Sequence, residues 1–162
     1  VFRMHGERSP WYEREQEYIG DVRQLTSGQS NEVWSFGDEV YEILRKYLFM
    51  RERMRPYIRE VMRAAHEHGD PVMRPLFYGF PADKAAWHVE DEYLFGADVL
   101  VAPVLEAGAR VRDVYLPAGA DWMDAATGAE YAGGQTVRMN APLETMPVLI
   151  RKGSGVKVYS DD

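Results

Sequence analysis

The sequence predicts an α+β chain in which a helical first part, up to about Gly96, gives way to an antiparallel β-sandwich. Two observations carry that expectation. Across residues 40–65 apolar side chains recur at steps of three and four, the period of one helix face. After Gly96 the chain breaks into short β-type runs separated by Gly, Pro and Ala-rich turns.

The first 31 residues carry little periodicity. Residues 7–31 mix charge with Pro10, Gly20 and Gly28 and read as a long loop, with one helical turn expected around Trp11 to Tyr18. The helical stripe then runs through Val40, Ile43, Leu44, Tyr47, Met54, Ile58 and Val61. Ser35 followed by Asp38 is expected to cap its start, and Gly69 to close its end after His66 and His68. Pro56 falls inside the stripe, and its missing N–H predicts a break near Arg53 to Arg55.

Residues 72–78 are short, mostly apolar and flanked by turn residues, which predicts a buried strand with Pro75 at its end or at a bulge. Residues 83–95 read as a second helix packing through Trp87, Val89, Tyr93 and Leu94. Strands are expected at residues 99–104, 111–116, 135–140 and 147–151. Ser160-Asp161-Asp162 reads as a frayed end.

Composition narrows the function. The chain has 19 Lys and Arg dispersed among 26 Asp and Glu, for a net charge of −7, so no basic footprint invites nucleic acid or an anionic membrane. The most apolar stretch, from Val99 to Leu105, is too short to span a bilayer. Cysteine is absent, which excludes disulfides, thiolate zinc sites and thiol nucleophiles. Val1-Phe2-Arg3 lacks the regions of a signal peptide, and the start reads as internal; a cytoplasmic location is expected.

Four histidines are available for chemistry. His66 and His68 are two apart on a predicted helix and face different directions, which suits a solvated helix end better than a shared metal. His88 beside Trp87 reads as structural. The acidic clusters Glu13-Glu15-Glu17 and Glu90-Asp91-Glu92 resemble paired carboxylates only superficially, and solvated faces are the plainer reading. No phosphate-binding glycine loop, serine elbow or His-Glu-x-x-His helix occurs. The segment Val1-Phe2-Arg3-Met4-His5-Gly6 stands apart: an apolar start delivers Arg3 and His5 into a long loop.

Phe2-Arg3-Met4-His5-Gly6, the helix ending His66-Glu67-His68-Gly69, the run from Asp70 through Arg74-Pro75-Leu76, and Gly96-Ala97-Asp98-Val99-Leu100-Val101-Ala102-Pro103-Val104 resemble, in order and spacing, landmarks of glycoside hydrolase family 31. Val114-Tyr115-Leu116-Pro117, the Trp122 segment and Met146-Pro147-Val148-Leu149-Ile150-Arg151 are similar to the β-domain that follows the catalytic barrel in that family. The resemblance covers nearly the whole chain.

It implies that residues 1–96 are the C-terminal part of a (β/α)8 barrel, long helices plus a last strand at residues 72–77, and that residues 97–162 are an incomplete proximal β-sandwich. It implies a retaining α-glycosidase acting on terminal α-xylosyl or α-glucosyl units, with no metal or organic cofactor. His5 matches the substrate-binding histidine of the family, whose imidazole hydrogen-bonds sugar hydroxyls, and Arg3 the motif arginine that supports the same rim. The two catalytic aspartates of the family come from earlier barrel strands and match nothing in this chain, so the chain alone is expected to be inactive. A carbohydrate substrate and the remainder of the barrel are the implied partners. Because a partial barrel leaves sheet edges open, exchange between copies into a homo-oligomer is also expected. The alternative is a non-catalytic carbohydrate-binding or assembly module using Trp11, Tyr12 and Trp34.

Overall fold

The computed structural model describes residues 33–158. The chain divides into two compact units, residues 1–52 and 53–162.

In the first unit, a 3₁₀ turn (Val33–Phe36) precedes helix α1 (Asp38–Arg53). The cap expected at Ser35 falls inside that turn. The first helical bond instead runs from the Tyr41 N–H to the Gly37 carbonyl, 2.8 Å, and Asp38 and Glu39 place negative charge at the positive end of the helix dipole.

The second unit starts at Arg53, the last residue of α1, and Met54 then interrupts the helical run within the expected break. Helix α2 (Arg55–His68) carries Pro56 in its first turn, where the missing N–H costs nothing, and the Ile58 N–H resumes the ladder on the Met54 carbonyl at 2.9 Å. It ends at Gly69, whose φ of 76° lets its N–H reach the Ala65 carbonyl at 3.1 Å.

Beyond α2 the chain becomes β1 (Met73–Arg74), a single helical turn α3 (Leu76–Gly79), a 3₁₀ turn (Ala85–His88), and strands β2 (Tyr93–Phe95), β3 (Val99–Val101), β4 (Val111–Leu116), β5 (Trp122–Asp124), β6 (Glu130–Tyr131), β7 (Gln135–Asn140) and β8 (Val148–Arg151). Two sheets form, one of six strands ordered β1-β2-β3-β8-β5-β6 and one of two, β4-β7. The strand expected at residues 72–78 is cut to two residues because Pro75 has no N–H for the ladder; with ψ at 155° it turns the chain into α3. That strand pairs antiparallel with β2, Met73 opposite Phe95, and lies at one edge of the six-stranded sheet.

The helix expected over residues 83–95 is also replaced. Residues 85–88 form the 3₁₀ turn and only the last three residues are β2, which turns back through Gly96 to pair with β3, Tyr93 opposite Val101 and Phe95 opposite Val99. The sheet therefore runs through the boundary drawn at Gly96. Gly96 holds a φ of 67°, and a Cβ there would overlap the Tyr57 hydroxyl and a Val61 methyl on α2.

The sheet is covered on both faces at this point. Leu94, Leu100 and Leu149 lie on one side, in a buried cluster with Trp122, with Val114, Leu116 and Met139 of β4 and β7, and with Leu76, Phe80 and Ala86. Trp122 is fully buried, and its indole N–H still finds the Pro117 carbonyl at 3.3 Å. On the other side Phe95 meets the Tyr57 ring edge-on, with centroids 6.1 Å apart.

Candidate functional site

Arg3 and His5, together with Trp11, Tyr12 and the Glu13-Glu15-Glu17 cluster, lie outside the described residues. His66, His68 and His88 are all exposed. The His68 imidazole stands 3.9 Å from its neighbour Glu67. Among the described residues no group of three His, Asp or Glu side chains could hold a metal ion. Trp34 is two-thirds exposed.

The polar groups that do converge lie beside β4, where the turns before β2 meet the second sheet. Asp83, just ahead of the 3₁₀ turn, accepts through Oδ2 from the Tyr115 hydroxyl and the Ala118 N–H, both at 2.7 Å, and through Oδ1 from the Ala85 N–H at 3.0 Å. Partial desolvation works against its charge, but the Tyr115, Ala118, Ala85 and Ala86 donors outweigh it and hold the carboxyl below the usual aspartate range. The same contact, after desolvation, helps push the Tyr115 phenol up to about 12.

Glu92 approaches the same tyrosine from the other end. Its Oε1 accepts the Tyr115 backbone N–H at 2.8 Å, while Oε2 is buried with no hydrogen-bond partner. The residue is only 6% exposed, and burial pushes its carboxyl up from 4.5 to about 7 despite the Tyr115 amide and the nearby Arg112 charge. Arg112 is turned toward Asp91: Nη1 donates to Oδ2 at 2.7 Å and Nη2 to the Asp91 carbonyl at 2.9 Å. Its Nε is buried without a partner. The Arg112 bond, foremost, draws the Asp91 carboxyl below its ordinary value. The acidic run at residues 90–92, read as a solvated face, is thus divided, with Glu90 exposed, Asp91 ion-paired and Glu92 in the interior. A cleft of about 430 Å³ adjoins this cluster, lined in part by Asp91, Arg112, Asp113 and Arg138.

A second polar junction ties α2 to the sheet. The Tyr57 hydroxyl donates to the Phe95 carbonyl at 2.7 Å and accepts the Asp98 N–H at 3.2 Å, so one phenol spans the β2–β3 turn. Burial raises its pKa to about 12 and keeps it a donor at any ordinary pH. Nearby, Arg74 donates to the Pro71 carbonyl at 2.6 Å and lies over the Tyr78 ring, fixing the turn that leads into β1.

In these clusters the carboxylates, phenols and guanidinium are directed at the protein's own backbone and at one another. Asp83 has its donors in place, Glu92 is sealed in the interior, and the Tyr57 hydroxyl is engaged on both sides. This is the chemistry of fastening, and it holds together two antiparallel sheets and the helix α2 docked against them.

The chain belongs to glycoside hydrolase family 31. Residues 69–156, more than half of it, match the profile described as "Glycosyl hydrolase family 31 C-terminal domain". The crystal structure of a GH31 α-xylosidase from a soil metagenome, complexed with xylose, superposes with a TM-score of 0.76 at 53% identity, over 80% of this chain and 19% of that one. Alpha-glucosidase 2 of Bacillus thermoamyloliquefaciens is 40% identical over 77% of this chain and 16% of its own length. The 1,6-alpha-glucosyltransferase of Sporosarcina globispora is 35% identical over 95% of this chain and 11% of its own. The chain therefore spans less than a fifth of the length of each of these relatives.

Proposed function

We propose that this chain is the C-terminal portion of a retaining α-glycosidase that hydrolyses terminal α-xylosyl or α-glucosyl units. The observation that carries the reading is the continuous match of residues 69–156 to the family's C-terminal domain, with 53% identity to an α-xylosidase. In this reading the supporting domain begins after the Gly69 cap, because the antiparallel sheet starts at Met73, and the residues before it belong to the barrel. His5 binds hydroxyls of the sugar being cleaved, contacts that tighten as the oxocarbenium-like transition state forms, and Arg3 supports the rim beside it. The nucleophile and the general acid/base are supplied by barrel strands outside this chain, so the chain alone is inactive and its working partner is the rest of the barrel.

One observation favours a second outcome of the same chemistry. The glucosyltransferase relative aligns with 95% of the chain, and a covalent glycosyl intermediate passed to a sugar hydroxyl, in place of water, gives transfer.

The test is a chimera in which this chain replaces the corresponding part of the soil α-xylosidase, assayed beside the chain alone on aryl α-xyloside and aryl α-glucoside. The chimera is expected to release aglycone and the chain alone none. His5→Ala in the chimera should lower kcat/KM by about 10- to 100-fold, the order expected for losing sugar-hydroxyl bonds strengthened in the transition state. Hydrolysis by the mass-verified chain alone overturns the reading. So does a folded chimera whose kcat/KM is untouched by His5→Ala.

A further inference from the structure

Glu92 precedes β2 of the six-stranded sheet, and the amide it holds belongs to β4 of the two-stranded sheet, so its carboxyl joins the two layers. An ionised carboxylate in the interior needs several donors. Glu92 has one N–H on Oε1, and Oε2 is buried without a partner. The cation able to neutralise it, Arg112, directs both terminal nitrogens at Asp91 and leaves Nε, equally buried, without an acceptor.

We propose that Glu92 is a proton-operated fastener between the two sheets: as the neutral acid it holds β4 against the turn before β2, and as the carboxylate it draws Arg112 away from Asp91 and loosens that edge. The charged and titratable groups facing it are few. Asp91, on its own turn, opposes its ionisation; Arg112, on β4, favours it; Asp113 acts only through Arg112; and the Tyr115 side chain is held by Asp83. Burial decides the balance and puts the titration at about 7. The cluster is formed wholly within residues 83–115, and the inference does not depend on which sugar the parent enzyme cleaves.

The sign follows from linkage. The folded-state value lies above the ordinary 4.5, so the stabilisation from Glu92 is full below 4.5 and is lost as pH rises to about 7. The test is denaturant unfolding of the full chain between pH 5 and pH 8, with Glu92→Gln as a permanently neutral stand-in. The wild-type unfolding constant is expected to rise by about 30- to 100-fold relative to that of Glu92→Gln across this window. Parallel pH profiles overturn the proposal. Should Glu92→Gln fail to fold, carboxyl-carbon NMR of the wild type decides: a Glu92 midpoint near 7, with the Arg112 Nε–H resonance moving at the same midpoint, supports the fastener. An ordinary carboxylate midpoint, or an Arg112 resonance that stays still, sinks it.

Discussion

Asp83 and Glu92 are two carboxylates holding opposite ends of the same residue, and their protonation is driven in opposite directions. Asp83 takes the Tyr115 hydroxyl, Glu92 the Tyr115 amide. Asp83 sits half-buried at the start of a 3₁₀ turn, where several N–H groups and one O–H converge on it, and its pKa is lowered. Glu92 lies deeper with a single donor, and its pKa is raised to about 7. Chain chemistry is nearly identical at the two sites, so the number of donors set against the depth of burial decides which carboxyl is an anion at neutral pH. One end of Tyr115 is fixed by a permanent charge, the other by a group that changes charge in the neutral range.

The largest break in this comparison should come from Asp83→Ala. It leaves the part-buried Tyr115 hydroxyl and the exposed Ala118 N–H without their acceptor, at a cost of about 1–2 kcal/mol. Chemical denaturation at pH 7 should show the midpoint falling with little change in slope. Because the Asp83 pKa is depressed, its contribution is present at neutral pH and disappears as the wild type is acidified through the folded-state value, so the gap between the two proteins should narrow at low pH. A variant as stable as the wild type at neutral pH would show that water replaces the carboxylate without loss.

Much of the scaffold around these groups is legible in the sequence, and the exceptions share a cause. Pro56 and Gly69 act through their own backbones, one without an N–H and one at positive φ, and the helix break and cap fall where expected. Residues 93–95 read as the end of a helix because packing on both faces of the sheet removes the alternation that betrays a strand: Leu94 enters the core while Phe95 meets Tyr57. β5 escaped expectation for a related reason. Trp122-Met123-Asp124 is only three residues long, and its identity comes from pairing with Arg151, Ile150 and Leu149 far along the chain. Glu92 was unreadable in principle, since nothing local distinguishes it from the exposed Glu90; its burial is imposed by the second sheet closing over it. The family resemblance supplied Arg3 and His5, which local pattern alone left as one polar pair on an apolar segment.

Tyr115→Phe sharpens the contrast by cutting one link and leaving the other. The amide to Glu92 is untouched, while Asp83 loses the side-chain donor that does most to lower its pKa. Stability should fall by about 1 kcal/mol, the net value of one partly buried hydrogen bond. NMR should find the Asp83 midpoint moved up toward the ordinary aspartate value with the Glu92 midpoint unchanged. A shift in both would mean that the two carboxyls are coupled through Tyr115 and do not act as independent fasteners.

The smallest effect on stability, and the most specific, is expected from Asp91→Asn. Asp91 is nearly half exposed in its pair with Arg112, so solvent screens the interaction and neutralising it should cost about 0.5 kcal/mol. Its effect on Glu92 is larger than that figure suggests, for two reasons that act in the same direction. The Asp91 charge opposes ionisation of Glu92, and the Asp91 carboxylate also occupies the guanidinium that would otherwise compensate it. Removing the charge relieves the repulsion and frees Arg112 to turn toward the Glu92 oxygen that has no partner. The Glu92 midpoint should therefore drop below its wild-type value, and the window over which stability is lost with rising pH should narrow from its upper end. Carboxyl-carbon titration of the variant measures this directly; an unmoved or raised midpoint would mean that desolvation alone sets the Glu92 pKa and that Arg112 does not travel between the two acids.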